Sequence, residues 1–192
     1  MPKQYSAMGM SLMYPDSWSL SVESLAGEEP VPVNPAGTGG MDGDTVEATS
    51  AQDSTVQLDT DEFPTASSAA ADPARGITLE SPGGSFLSIN QVDSAQDVES
   101  VVREATATMA TEYEDIESEP LTISIDGQAF EGTVQSFYYL DLLIVSKLLA
   151  IKMDNALYLI QIQGEDRDME QQGIVFEAIL TSMLRSRKQR SD

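Results

Sequence analysis

Histidine and cysteine are both absent from this chain. Without histidine there is no imidazole general base, and neither a Ser-His-Asp nor a Cys-His pair can be assembled. Without either residue, zinc, haem-thiolate, iron–sulfur and blue-copper centres lose their usual ligands. No disulfide can form, so the fold must rest on its own core. Oxygen-rich sites for calcium, magnesium or manganese are all that stays open to a metal. Phosphate-cradling motifs are missing too: there is no G-x-x-x-x-G-K-[ST] and no G-x-G-x-x-G.

Positive charge is scarce. Ten Lys+Arg face 32 Asp+Glu, for a formal net charge of −22. A chain so charged repels phosphate backbones and anionic membrane surfaces, which argues against nucleic acid and against membrane insertion. It favours solubility and suits basic protein partners. Long apolar runs are missing as well. The most apolar stretch, Leu142 to Ile151, is ten residues long and interrupted by Lys147, whereas a spanning helix needs about 20. The first residues lack an unbroken apolar segment and a small-residue cleavage site. The expectation is a soluble, cytoplasmic protein with no cofactor.

What is present divides unevenly. Residues 25–75 hold ten acids and one base, five Pro, five Gly and nine Ala, with seven Leu, Ile, Val or Phe. Such a stretch has too little apolar area to offset its ordering entropy, and is expected to be a disordered acidic insertion. The remainder, 1–24 plus 76–192, is expected to form one domain.

Within that domain the periodicity is mixed. Ala7 to Met13 is a candidate first strand. Tyr14-Pro15-Asp16-Ser17 reads as a turn. Trp18, Leu20 and Val22 then alternate on one side of a second strand. Ile77 and Leu79 lead to the turn Ser81-Pro82-Gly83-Gly84 and a strand from Phe86 to Val92. A helix is expected from about Ala95 to Tyr113, with Ser94 as N-cap and Val98, Val102, Ala105, Met109 and Tyr113 on its apolar face. Leu121, Ile123 and Ile125 alternate before Asp126-Gly127, a strong hairpin turn. Strands follow at 128–139, 142–153 and 156–163. Leu142-Leu143-Ile144-Val145 is apolar on both faces, as expected of a central strand covered on both sides. Met169, Gly173, Phe176, Leu180 and Met183 mark a closing helix capped by Asp168. Consecutive hairpins with two amphipathic helices give α+β, with a mainly antiparallel sheet.

This order of parts resembles the PsbP-like and Mog-type fold family, which includes small bacterial relatives of a photosystem II extrinsic protein. The residues that carry the resemblance are the strand before Tyr14-Pro15-x-x-Trp18, the turn Ser81-Pro82-Gly83-Gly84 and the helix 95–113. They continue with the hairpin at Asp126-Gly127 with Gly132, the paired long strands, and Phe176-x-x-Ile179-Leu180. The resemblance covers about 140 of the 192 residues. It implies an α-β-α sandwich and a binding role without chemistry. Some relatives act as chaperones for type VI secretion effectors, which here would need an apolar groove lined by residues such as Leu142, Ile144 or Met153. The chain departs from the family in its long acidic stretch and in showing no export signal.

Few residues single themselves out as a site. Trp18, the lone tryptophan, is either a partner anchor or a core ring. Tyr138, on the opposite strand face from Phe137 and Tyr139, would suit an interface. Arg185, Arg187 and Lys188, followed by Arg190, either bind an acidic surface or complement a helix dipole. Asp42-Gly43-Asp44 and Asp59-Thr60-Asp61-Glu62 invite calcium but lack the register of a binding loop. With so many acids, no carboxylate pair stands out for catalysis. The reading from sequence is a non-catalytic protein-binding or adaptor module, with partner contacts at Trp18, Tyr138, Arg185, Arg187 and Lys188. The effector chaperone and a carboxylate-based divalent-metal enzyme stand as alternatives.

Overall fold

The computed structural model describes residues 1–24, 74–113 and 115–188. A hairpin of β1 (Lys3–Ala7) and β2 (Met10–Tyr14) forms a two-stranded sheet of its own. The main sheet is built from β3 (Ser19–Ser24), β4 (Ala74–Glu80), β5 (Phe86–Val92), β6 (Glu117–Ile125), β7 (Gln128–Tyr139), β8 (Leu142–Met153) and β9 (Ala156–Glu165). Its order is β3-β4-β5-β9-β8-β7-β6, and every neighbouring pair is antiparallel. Helix α1 (Val98–Glu112) follows β5, and α2 (Asp166–Lys188) closes the chain.

Alternation along the strands supplies two cores. On one face Ile77, Leu79, Leu87, Ile89, Leu149, Ile151, Ile160 and Ile162 meet Met169, Phe176, Leu180 and Met183 of α2 and Met10 and Leu12 of β2. On the other, Phe137, Leu148, Ala150 and Leu157 meet Val101, Val102 and Met109 of α1. The sheet is thus sandwiched between α1 and a layer made of α2 and the β1–β2 hairpin. Tyr158 fastens that hairpin by donating its hydroxyl to the Met8 carbonyl. Ser182 and Ser186 of α2 accept from the Met13 and Ser11 amides, at 2.8 and 3.3 Å.

Several expectations shift when the chain is folded. Ala7 to Met13 is not one strand: Met8 and Gly9 adopt φ of 54° and 72° and turn the chain back between β1 and β2. The glycine that looked like a strand residue is the turn. The N-cap of α1 is Asp97 rather than Ser94, because its carboxylate accepts from the Ser100 amide at 2.9 Å. Asp168 does not cap α2. It lies in the first turn of a helix that begins at Asp166, and its carboxylate accepts from Ser81 Oγ and the Ser85 amide, at 3.1 and 3.2 Å. That tie joins α2 to the β4–β5 turn. Hydrogen bonding from Ser85, aided by Ser81, holds the Asp168 carboxyl below the ordinary aspartate range.

The doubly covered part of β8 is Leu148 to Ile151, where α1 and α2 both reach the sheet. The run Leu142 to Val145 lies further out, with Leu142 exposed. β4 begins at Ala74, two residues inside the stretch expected to be the acidic insertion; residues 25–73 lie outside those described. Among the described residues no helix is long and apolar enough to cross a membrane.

Candidate functional site

The sequence-derived candidates do not converge. Trp18 is buried and packs edge to face on Phe176, with ring centroids 5.2 Å apart at 75°. Its ring is therefore core and offers no face to a partner. Arg185 reaches Asp126 in the β6–β7 turn, with Nε at 3.0 Å and one terminal nitrogen at 2.9 Å from Oδ1. Arg185 is largely exposed while Asp126 is mostly covered, and with solvent screening on the arginine side the pair is worth about 0.2–1 kcal/mol. Arg187 and Lys188 belong to the backbone of α2, but their side chains fall outside the described residues, as do Arg190 and both acidic clusters of 25–75. Leu142 and Ile144 share the α1 face of β8, whereas Met153 is buried on the α2 face. The three do not line a common groove. Among the described residues no three acidic side chains are grouped to hold a metal ion.

Tyr138 is different. It is 75% exposed, and its neighbours Tyr139, Leu140 and Leu142 are exposed as well. Together they form the tip of the β7–β8 hairpin, where Tyr139 pairs with Leu142 across a two-residue turn. Register sets their directions. Tyr138 lies opposite Leu143 on the α2 face, and Tyr139 lies beside Leu142 on the α1 face. Beneath Tyr139, the Phe137 ring stacks on Tyr113 at the C-cap of α1, with centroids 3.9 Å apart. Buried Phe137 and half-buried Tyr113 thus pack on the same face as exposed Tyr139.

The turn itself runs against local preference. Leu140 and Asp141 adopt φ of 49° and 64°. Tight two-residue hairpins need positive φ at both positions and favour Asn-Gly or Asp-Gly there. The chain uses that solution at Asp126-Gly127, where φ is 50° and 76°, and a glycine again completes the turn at Met8-Gly9. At the β7–β8 tip it places Leu140 instead. An L-residue with a large side chain in this region costs about 1–2 kcal/mol. Leucine gains nothing back from burial, since it is 78% exposed.

Acidic groups surround the tip. Asp141 is in the turn, Glu117 lies opposite Ser136 at the start of β6, and Glu165 lies opposite Ile144 at the end of β9. Asp166 follows in the first turn of α2, with Arg167 as the cation beside it. The apolar tip therefore projects from a mainly negative end of the sheet.

A second apolar surface exists. Met13 and Ile174, 49% and 82% exposed, border an open groove of about 620 Å³ between β2 and α2, with Tyr14, Pro15 and Ala178. It has no aromatic projection and no strained backbone. The signal in the sequence is the turn of Tyr-Tyr-Leu-Asp-Leu itself, which lacks the Asn-Gly or Asp-Gly that a two-residue hairpin favours.

No family model matches the chain. No curated protein matches it. Among solved structures it is similar to a protein of unknown function from Pseudomonas aeruginosa, at 11% identity and a TM-score of 0.43, covering 95% of both chains. It is also similar to cyanobacterial PsbP from Synechocystis, at 11% identity and a TM-score of 0.45, covering 94% of this chain and 90% of that one. Likenesses of this degree carry no argument about activity or partner.

Proposed function

We propose that this protein is a non-catalytic protein-binding module that docks through the β7–β8 tip. The observation that carries the reading is Leu140: an exposed leucine held at positive φ between exposed aromatic and aliphatic neighbours. Strain of this kind persists where the surrounding structure over-determines it, and it clusters at functional sites. Burying a large apolar side chain gains about 1.5–3 kcal/mol, so the tip residues suffice to anchor a partner once ordering costs are met. Tyrosine suits such a contact because it offers a large face with few rotamers.

Charge defines the other half of the contact. Asp141, Glu117, Glu165 and Asp166 around the tip, in a chain of net charge −22, suit a partner with an apolar recess rimmed by Lys and Arg. The sandwich acts as a rigid carrier for the tip, and no residue in this reading performs chemistry.

The test compares the full chain with the double variant Tyr138→Ser, Leu140→Ser as bait in native extract, with bound proteins identified by mass spectrometry. Circular dichroism checks that the variant keeps its sheet. A stoichiometric partner held by the wild type and released by the variant supports the reading. Retention by the variant but loss with Ile174→Ser would place the contact in the Met13–Ile174 groove. Catalytic turnover that copurifies with the protein to homogeneity would overturn the non-catalytic part.

A further inference from the structure

We infer that the outer edge of β3 is a strand-addition site for an extended peptide in which apolar residues alternate with Lys or Arg. The tip reading is not needed for this, since β3 is one edge of the sheet and the β7–β8 hairpin lies toward the other.

An edge strand presents unpaired N–H and C=O groups, and proteins usually blunt it with proline, charge, bulges or a covering element. The other edges follow that rule. β6 carries Pro120 in its interior and Glu117 and Glu119 beside it, so one backbone donor is missing and added strands meet charge. The β2 amides of Ser11 and Met13 are taken up by Ser186 and Ser182. β1 is short and starts with Lys3 just after Pro2.

β3 is blunted only at its far end, by Glu23 and a register shift after it. It reads Ser-Leu-Ser-Val-Glu-Ser, with no proline and no lysine. A register shift between Glu23 and Ser24 bends its end, leaving Ser19 to Glu23 in regular pairing with β4. Among the described residues no strand pairs with its outer side.

The side chains say what would fit. On the α2 face Leu20 is only partly buried, and Val22 is 48% exposed. The cross-strand partner of Val22, Ile77, is fully buried. The apolar layer therefore runs out to β3 and stops with Val22 half exposed. One more strand would continue it. The opposite face is polar: Ser19, Ser21 and Glu23 form the edge row, and Glu80, Thr78 and Gly76 lie behind them in register. α1 packs over β7, β8 and β9, so this end of the face meets solvent, with Glu23 and Glu80 exposed. A peptide strand alternates its side chains between the two faces. Apolar residues would cover Val22 and Leu20, and Lys or Arg would meet Glu23 and Glu80. Main-chain bonds would supply affinity and the alternation would supply specificity.

The probe is a synthetic seven-residue peptide alternating valine and lysine, labelled for fluorescence anisotropy. Its controls are a peptide of the same composition with valines and lysines in separate blocks, and the alternating peptide N-methylated at every second amide in each of the two phases. The full chain is used, with the tip variant Tyr138→Ser, Leu140→Ser in parallel. Saturable binding of the alternating peptide is expected. It should be at least tenfold weaker for the block peptide and for one N-methylated phase, and unchanged in the tip variant. Hydrogen exchange should slow at amides between Ser19 and Glu23 when the peptide binds. Equal binding of all four peptides would overturn the inference, because attraction to a chain of charge −22 needs no strand. Outward β3 amides already protected in the free protein would overturn it too, by showing the edge filled by this chain or by a second copy. Loss of peptide binding in the tip variant would also overturn it, by assigning the peptide to the tip. Release of the captured partner by that variant with peptide binding intact would support both readings separately.

Discussion

Trp18, just before β3, meets Phe176 of α2 edge to face, at 5.2 Å between ring centroids and 75° between planes. Both rings are buried, so the contact joins the start of the main sheet to the closing helix. Truncation of a buried aromatic leaves a cavity as well as losing transfer energy. Trp18→Ala should lower stability by about 3–5 kcal/mol, read as a shift in urea midpoint by circular dichroism. Trp18→Phe should retain most of it. Because Trp18 is the lone tryptophan, its fluorescence should report α2 leaving the sheet. A loss below 1 kcal/mol for the alanine variant would show that the ring is not core.

Asp168 gives a pH signature. Its carboxylate accepts from Ser81 and Ser85, and its pKa is lowered chiefly by the hydrogen bonding from Ser85. A group whose folded pKa lies below its unfolded value contributes stability above the unfolded value, about 3.9 for aspartate. That contribution disappears as pH falls through the folded pKa. Asp168→Asn should therefore be less stable than wild type near neutrality, with the gap narrowing below about pH 4. A gap independent of pH would assign the loss to geometry alone.

The long-range order of this fold was legible where one residue type had one role. Asp126-Gly127 announced its hairpin, and β7 and β8 begin and end where alternation and turn residues placed them. Reading failed where one residue served two patterns. Gly9 fitted an alternating run but turns the chain, and Ser94 looked like the cap of α1 although it is Asp97 that accepts from the Ser100 amide. Trp18 and Tyr138 show why the site was only half visible. Both are aromatic residues in or beside strands, and only packing against Phe176 for one and a place at the exposed β7–β8 tip for the other separates core from surface.

Two glycines should respond to alanine in opposite directions. A Cβ at Gly132 in β7 would sit 2.2 Å from the Leu148 carbonyl oxygen of β8. Backbone in mid-sheet yields little, so Gly132→Ala should cost about 1–3 kcal/mol. A Cβ at Gly173 in α2 meets nothing within 4 Å. There Gly173→Ala should gain about 0.5–1 kcal/mol from helix propensity and reduced unfolded-state entropy. Thermal midpoints of the two variants, measured side by side, check both signs. A stabilised Gly132→Ala would contradict the β7–β8 register.

Leu140 carries the sharpest opposition between stability and function. Positive φ at Leu140 and Asp141 is retained without a glycine, and the leucine side chain is exposed. Asparagine adopts this conformation more readily, so Leu140→Asn should stabilise the protein by about 1 kcal/mol. The same change removes an apolar side chain from the tip and should weaken partner retention, while Leu140→Met should keep both retention and strain. Urea midpoints and capture assays on the same three proteins decide the matter. If Leu140→Asn gains stability and loses its partner, the leucine is there for contact. If it gains stability and keeps the partner, docking through the tip is wrong and the strain has no role in binding.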